Sequence, residues 1–291
     1  MQQRLNFIGC GQLGKTLGSL WHQSGSLIIG DVLTRSLSSA KSAVTTIGSG
    51  TPVDNISAMH ASSLYLIASG DDDIESCSQQ LAKSGLLNSG DIVFHCSGAQ
   101  TSDLLKACKN AGASIASIHP IKSFASVDQA ISSFAGTYCG VEGDGPALEK
   151  LTPIFTRIGA KFLTISKQNK TLYHAGSVIA SNYLVTLQEI SINAFGQAGI
   201  DRQAAMAILK PIVTGTVDNI FQQGTSRALT GPIARGDRKI VESQLAAMEN
   251  WDEDLATIYR LLGKYSIPLA ETQEKAKVAN LNQLKTLLEG S

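Results

Sequence analysis

Near the N-terminus, Gly9-Cys10-Gly11-Gln12-Leu13-Gly14 follows the apolar run Arg4-Leu5-Asn6-Phe7-Ile8. The spacing Gly-x-Gly-x-x-Gly suits the turn that binds a dinucleotide. Gly9 permits a tight turn, Gly11 lets backbone approach a pyrophosphate, and Gly14 allows close packing of helix on strand. A helix starting near Gln12 turns its free N–H groups and the positive end of its dipole toward the phosphates, so all six residues are candidates for holding a cofactor. A second cluster, Thr34-Arg35-Ser36, stands where cofactor choice is made. An arginine with small hydroxyl residues suits a 2′-phosphate, whereas an acid at the strand end accepts hydrogen bonds from ribose hydroxyls. Asp31 is the nearby acid, but Val32 and Leu33 continue the apolar run past it. NADP is therefore expected. NAD is the alternative if Asp31 ends the strand, and Arg35 then becomes an ordinary solvated turn residue.

Imidazoles form the next candidates. His119-Pro120 closes an apolar run. A histidine there can donate to a carbonyl or carboxylate, or can simply bond backbone at a rigid turn. Tyr173-His174 precedes Asn182 by about two helical turns, which places His174 and Asn182 roughly on one helix face. Polar groups buried at such spacing need partners, either a substrate or another helix. Between two later helices, Ala228 to Asp237 is punctuated by glycine and proline and carries Thr230, Arg235 and Asp237. The planar fork of Arg235 suits a substrate carboxylate or a phosphate, unless Asp237 pairs with it. Asp237 could equally cap the helix that follows.

Recurrent strand, small-residue loop and helix must position these groups. Ser63 to Ala68, Asp91 to Cys96 and Ala113 to Ile118 read as buried strands that deliver Ala68-Ser69, Ser97-Gly98 and His119 to one sheet edge. Ligands of open parallel sheets gather at the carboxyl ends of strands. Asp71-Asp72-Asp73 suits the first turn of a helix, and with no second ligand cluster beside it no metal is expected. Thr137 to Val141 and Lys161 to Ile165 read as further short strands with a helix from Pro146 to Arg157 between them. From about Lys167 the strand pattern ends. Leu172, Ala175, Gly176, Ile179, Tyr183, Leu187, Ile190 and Ala194 then mark one long buried helix. Helices over 202–221 and 237–250 and two shorter ones are expected to follow. The predicted fold class is α/β, with a doubly wound Rossmann-type parallel sheet over 1–166 and an all-helical substrate and dimerisation domain over 167–291.

Composition narrows the function. Among 291 residues, 24 basic and 24 acidic side chains give zero formal net charge, so no global field attracts nucleic acid. Cys10, Cys77, Cys96, Cys108 and Cys139 are scattered without a Cys-x-x-Cys pair, as expected of reduced thiols rather than a disulfide framework or zinc site. No apolar run reaches transmembrane length and no basic-then-apolar leader precedes the first strand. A soluble cytoplasmic protein is expected, with no membrane partner.

A family resemblance rests on Ile8-Gly9-Cys10-Gly11, Thr34-Arg35-Ser36, His95-Cys96-Ser97-Gly98, His119-Pro120, Tyr173-His174-Ala175, Ala180-Ser181-Asn182-Tyr183 and Leu229 to Asp237. The chain resembles bacterial Rossmann-like proteins whose helical C-terminal half is the domain of unknown function 2520, similar to deazaflavin-dependent NADP oxidoreductases. The resemblance implies an NADP-binding domain and a helical domain like those of pyrroline-5-carboxylate reductase and 6-phosphogluconate dehydrogenase relatives. It also implies a homodimer through the helical domain and an active site in the interdomain cleft. Hydroxyacid dehydrogenases of that superfamily carry a lysine four residues before the asparagine of the long helix; here that position is Val178.

Together these readings give an NADP-dependent oxidoreductase that moves a hydride to or from a C=O or C=N group of a small anionic metabolite. His174 is the expected general acid/base, because an imidazole can titrate near neutral pH. His119 is second to it or orients the substrate, Asn182 bonds the reacting group, and Arg235 with Thr230 binds the anionic substituent. The missing lysine tilts the reading toward an imine, which can arrive already protonated. The competing reading is a non-catalytic NADP-binding sensor or partner protein.

Overall fold

The computed structural model describes residues 3–289. Among them, eight strands form one sheet: β1 (Arg4–Ile8), β2 (Ile28–Leu33), β3 (Thr51–Val53), β4 (Leu64–Ile67), β5 (Ile92–His95), β6 (Ser114–Pro120), β7 (Tyr138–Gly143) and β8 (Lys161–Thr164). Their order is β3-β2-β1-β4-β5-β6-β7-β8. The central strands β4 and β5 are buried at every residue, as continuous apolar runs covered on both faces must be. Helices α1 (Gln12–Gln23), α2 (Leu37–Ile47), α3 (Ile74–Lys83), α4 (Lys106–Asn110), α5 (Val127–Ser132) and α6 (Gly145–Arg157) accompany the strands.

Side-chain alternation divides the core into two clusters. Leu64, Leu66, Ile92 and Phe94 join one, and Tyr65, Ile67 and Val93 the other. In the first, Trp21 meets Phe155 edge-on at 5.1 Å between ring centroids and Phe94 at 6.4 Å. Such contacts add to the area that these large rings bury.

One pairing departs from the expected all-parallel sheet: β6 and β7 run antiparallel. The segment between them begins and ends at one sheet edge, where Ile121 N donates to Tyr138 O at 2.8 Å. Parallel re-entry needs a crossover that travels back along the sheet, and the six-residue α5 does not supply one.

The remaining helices are α7 (Lys170–Gln197), α8 (Arg202–Gln223), α9 (Thr225–Ala228), α10 (Pro232–Arg235), α11 (Arg238–Trp251), α12 (Glu253–Gln273) and α13 (Val278–Glu289). The chain divides into two compact units, Met1–Tyr183 and Leu184–Ser291, and the division falls within α7. The second unit has its own core, made by Val241, Ile267, Ala270, Leu281, Leu284 and Leu288. Gln273 Nε2 donates to the Leu229 carbonyl at 2.7 Å and also to that of Ser226, which satisfies backbone left open where α9 ends.

Two helical expectations are corrected. The closing pair of helices is not short throughout, since α12 has 21 residues. The long helix α7 is not buried: Leu172, Ile179, Tyr183 and Val185 are between 56 and 76% exposed. Tyr183, Leu184 and Val185 are consecutive, so apolar side chains are distributed around the helix, and packing on one side leaves the rest uncovered.

His95 closes β5 and is fully buried. Its Nδ1 accepts from Ser97 N at 3.1 Å and its Nε2 donates to the Thr101 carbonyl at 3.0 Å, which shapes the loop leaving the strand. Burial lowers its pKa from 6.5 to about 4, so the folded chain holds it neutral while the unfolded chain protonates it. Its contribution to stability is present above pH 6.5 and is lost as pH falls toward 4. Thermal unfolding midpoints measured over this interval are expected to fall with pH, and less steeply in His95→Asn.

Candidate functional site

The glycine turn has the geometry that its three glycines require. Gly9 adopts a φ of +80°, and a side chain there would come within 2.5 Å of Ser69 N. Gly11 has no neighbour within 4 Å of the position a Cβ would take, so its backbone is open to a ligand. A Cβ on Gly14 would meet Cys10 Sγ at 3.1 Å and Ala68 Cβ at 3.4 Å, which explains the close seat of α1 on the sheet. No side chain caps the start of α1, so its leading N–H groups are available to an anion.

A groove of about 540 Å³ opens along this turn, lined by Gly9, Cys10, Gly11, Lys15, Thr34, Arg35, Ser38, Ser39, Ser42, Ala68, Ser69, Gly70 and Asp73. Lys15 and the three serines of α2 were not expected from the sequence. Lys15 directly follows Gly14, and its Nζ donates to Ser42 Oγ at 3.4 Å, bridging α1 and α2. The only signal for these residues was their place in the opening turns of α1 and α2, just after the first two strand-end loops. Gln12, Leu13 and Gly14 form the first turn of α1 without lining the groove, and the Ser36 hydroxyl caps α2 by accepting from Ser39 N at 3.2 Å. Burial raises the Cys10 thiol to about 12, so it lines the groove as a neutral group.

Asp31 does not contribute. It is buried within β2, where its carboxylate accepts from Arg4 Nη2 at 3.0 Å, from His60 N at 2.6 Å and pairs with His60 Nδ1 at 3.0 Å. The strand continues to Leu33 and the alternative ribose contact through Asp31 is overturned.

A second concavity of about 510 Å³ brings His119, Tyr173, His174 and Asn182 together with Lys122, Ser123, Ser177, Val178 and Ser181. His119 Nδ1 lies 2.8 Å from the Tyr173 hydroxyl, and its ring meets that of His174 at 5.5 Å and 78°. Gly98, at the loop after β5, makes this convergence possible: a Cβ there would collide with His174 Nδ1 and lie 2.7 Å from His119 Nε2. His174 Nδ1 is buried without a hydrogen-bond partner among the described residues. Burial, with help from nearby His174 and Lys170, lowers the His119 pKa to about 4, and burial raises that of Tyr173 to about 12. His119 and Tyr173 are thus both neutral at pH 7.

Ser97 sits beside this pair, donating to Asp71 Oδ2 at 2.8 Å and accepting from Gln100 N at 3.0 Å. Asp71 therefore links two strand-end loops, and the aspartate run occupies the helical turn that leads into α3, as the sequence suggested, without a side-chain cap. Among the described residues, no group of three His, Cys, Asp or Glu side chains is arranged to hold a metal. Thr230 and Arg235 lie in the second unit, where Arg235 Nε donates to Asp237 Oδ2 at 2.7 Å. Asp237 makes no side-chain cap on α11, so of its two readings the pairing with Arg235 is the one formed.

Beneath the imidazoles is a polar cluster that sequence reasoning missed. Lys170 is 1% exposed and Glu142 5%. Lys170 Nζ donates to Glu142 Oε1 at 2.9 Å and to Ser117 Oγ, while Glu142 accepts from Ser102 N at 2.8 Å and Ser102 Oγ at 2.7 Å. Burial lowers the Lys170 pKa, and Glu142 opposes that shift. Removing one partner of such a pair leaves an uncompensated charge, so Lys170→Met is expected to cost about 3–5 kcal/mol in urea unfolding. Lys170→Met combined with Glu142→Gln should recover part of that loss.

Comparison with known proteins places this geometry in a family. Residues 1–120 match a Rossmann-like domain and residues 137–266 match the domain of unknown function DUF2520. No curated protein matches the chain. Protein TM1727 of Thermotoga maritima is 28% identical with a TM-score of 0.72, over 92% of this chain and 99% of its own. Protein BF3122 of Bacteroides fragilis is 15% identical with a TM-score of 0.75, over 91% and 97%. An imine reductase of Myxococcus stipitatus, in complex with NADP+, is 15% identical with a TM-score of 0.64, over 97% and 99%. The chain is a Rossmann-like protein that carries the domain of unknown function DUF2520.

Proposed function

We propose that the protein is an NADP-dependent oxidoreductase that transfers a hydride to or from a C=O or C=N group of a small anionic metabolite. The observation that carries this reading is the pairing, within one unit, of a phosphate-suited groove and a concavity with two imidazoles. Arg35 and Lys15 are two cations beside the hydroxyls of Thr34, Ser38, Ser39 and Ser42. That set matches the charge and acceptor oxygens of a 2′-phosphate, for which an unphosphorylated ribose has no use. The fold shared with the NADP+-bound imine reductase supports the same choice.

When bound, the cofactor would give or take up the hydride. The chain's own residues hold the substrate and manage its proton. His174, whose ring lines the concavity, is the group that gives or takes the substrate proton. His119, neutral at pH 7, orients the reacting group, and Asn182 lines the same concavity. Lys122 is the cation among the lining residues and is suited to an anionic substituent; Arg235 is engaged by Asp237. A polar lining of this kind favours catalysis over a sensor that has kept the fold and lost the chemistry.

Fluorescence titration with NADPH and NADH tests the cofactor. NADPH should bind more tightly, and Arg35→Leu or Lys15→Met should each reduce that preference about tenfold, the worth of one charge-assisted hydrogen bond. Equal affinity of the unaltered protein for both nucleotides would remove the 2′-phosphate reading. In a screen of carbonyl and imine substrates with NADPH, His174→Ala should depress turnover about 100-fold or more while leaving NADPH affinity unchanged. An unchanged rate excludes it from the mechanism.

A further inference from the structure

The imidazole of His119 is held by a contact that assigns its proton. Tyr173 reaches β7 through a gap left by Gly140, where a Cβ would come within 2.6 Å of the phenol oxygen. Gly140 is the register partner of His119 across the antiparallel pair β6–β7, so the absent side chain brings the hydroxyl to the histidine. The hydroxyl then meets Nδ1 at 2.8 Å, and the two rings stand at 89°. On its other side, the His119 ring presents Nε2 toward Gly98 and His174.

Two proton arrangements fit a contact between a phenol and a neutral imidazole. Either the phenol donates to Nδ1 and Nε2 carries the hydrogen, or Nδ1 donates and Nε2 is bare. A half-buried phenol O–H needs an acceptor, and the bare Nδ1 is the one it points to. If Nδ1 carried the hydrogen instead, it would donate to the phenol oxygen, and the phenol hydrogen would lose the one acceptor that the structure sets beside it. Leaving a donor unpaired there is costly.

We infer that Tyr173 is a positioning residue that fixes His119 as the Nε2–H tautomer, a permanent hydrogen-bond donor into the concavity. The ligand atom that meets His119 is then an acceptor: a carbonyl or carboxylate oxygen, or an unprotonated imine nitrogen. An iminium arriving already protonated has no lone pair to offer. This statement about the ligand rests on the reading of the concavity as the substrate site; the tautomer itself does not.

The test needs no substrate. Protein labelled with 15N in its histidines is studied at pH 7 by long-range 1H–15N correlation, with His119 assigned by the signals lost in His119→Gln. His95 is an internal reference, because the Ser97 N–H donates to its Nδ1 and leaves the hydrogen on Nε2. His119 is expected to show the same pattern as His95. In Tyr173→Phe the ratio of Nε2–H to Nδ1–H forms should fall about fivefold, the effect of one lost hydrogen bond. A wild-type His119 with its hydrogen on Nδ1, or one charged at pH 7, overturns the inference. So does a Tyr173→Phe protein with an unchanged ratio. The wild-type spectrum decides the tautomer even if the variant fails to fold. Because the spectrum is recorded on the protein alone, its outcome is separate from that of the NADPH titration.

Discussion

The buried ion pair of Lys170 and Glu142 is the constraint on which the candidate site depends. Water is excluded from both charges, and a charge in such surroundings is tolerable only when paired and fully hydrogen-bonded. The cluster meets that demand by drawing on four places in the chain: Ser102 after β5, Ser117 on β6, Glu142 on β7 and Lys170 at the start of α7. Any shift of one element would strand a charge or a donor.

The geometry above the pair follows from periodicity. Tyr173 and His174 stand three and four residues after Lys170, hence on the same helix face. His119 stands two residues after Ser117, hence on the same side of the strand. Pinning Lys170 to Ser117 therefore brings the two imidazoles and the phenol toward one another. The glycines at 98 and 140 supply the space for them. The groove along the glycine turn relies on a different device. Bare backbone at Gly9 and Gly11 keeps it open, and two cations with several hydroxyls complete its lining.

Much of the groove along the glycine turn was legible in the sequence because such a turn is a local object. Its three glycines act within one strand, one turn and one helix, and Thr34-Arg35 falls at the next strand end. The reading of Asp31 illustrates the limit. Val32 and Leu33 showed that the strand continues, but the partners that sequester the carboxylate, Arg4 and His60, are 27 and 29 residues away in sequence. The long helix failed for a similar reason. Apolar spacing identifies a helix, yet how much of its surface is covered depends on which neighbours reach it.

The sequence by itself determined most of the alternation of strands and helices, though not the three-residue β3 or the six-residue α5, and with it the glycine turn and the identity of the candidate imidazoles. These depend on period, turn chemistry and short-range sterics, all of which are written within a dozen residues. Tertiary structure alone decided that β7 runs antiparallel, that Lys15 joins the groove, and that Lys170 is buried against Glu142. It also decided that His119, Tyr173 and His174 meet over Gly98 and Gly140. Each of those outcomes is a contact between segments far apart in the chain, selected by the requirement that buried polar groups find partners and that side chains fit the space glycine leaves open.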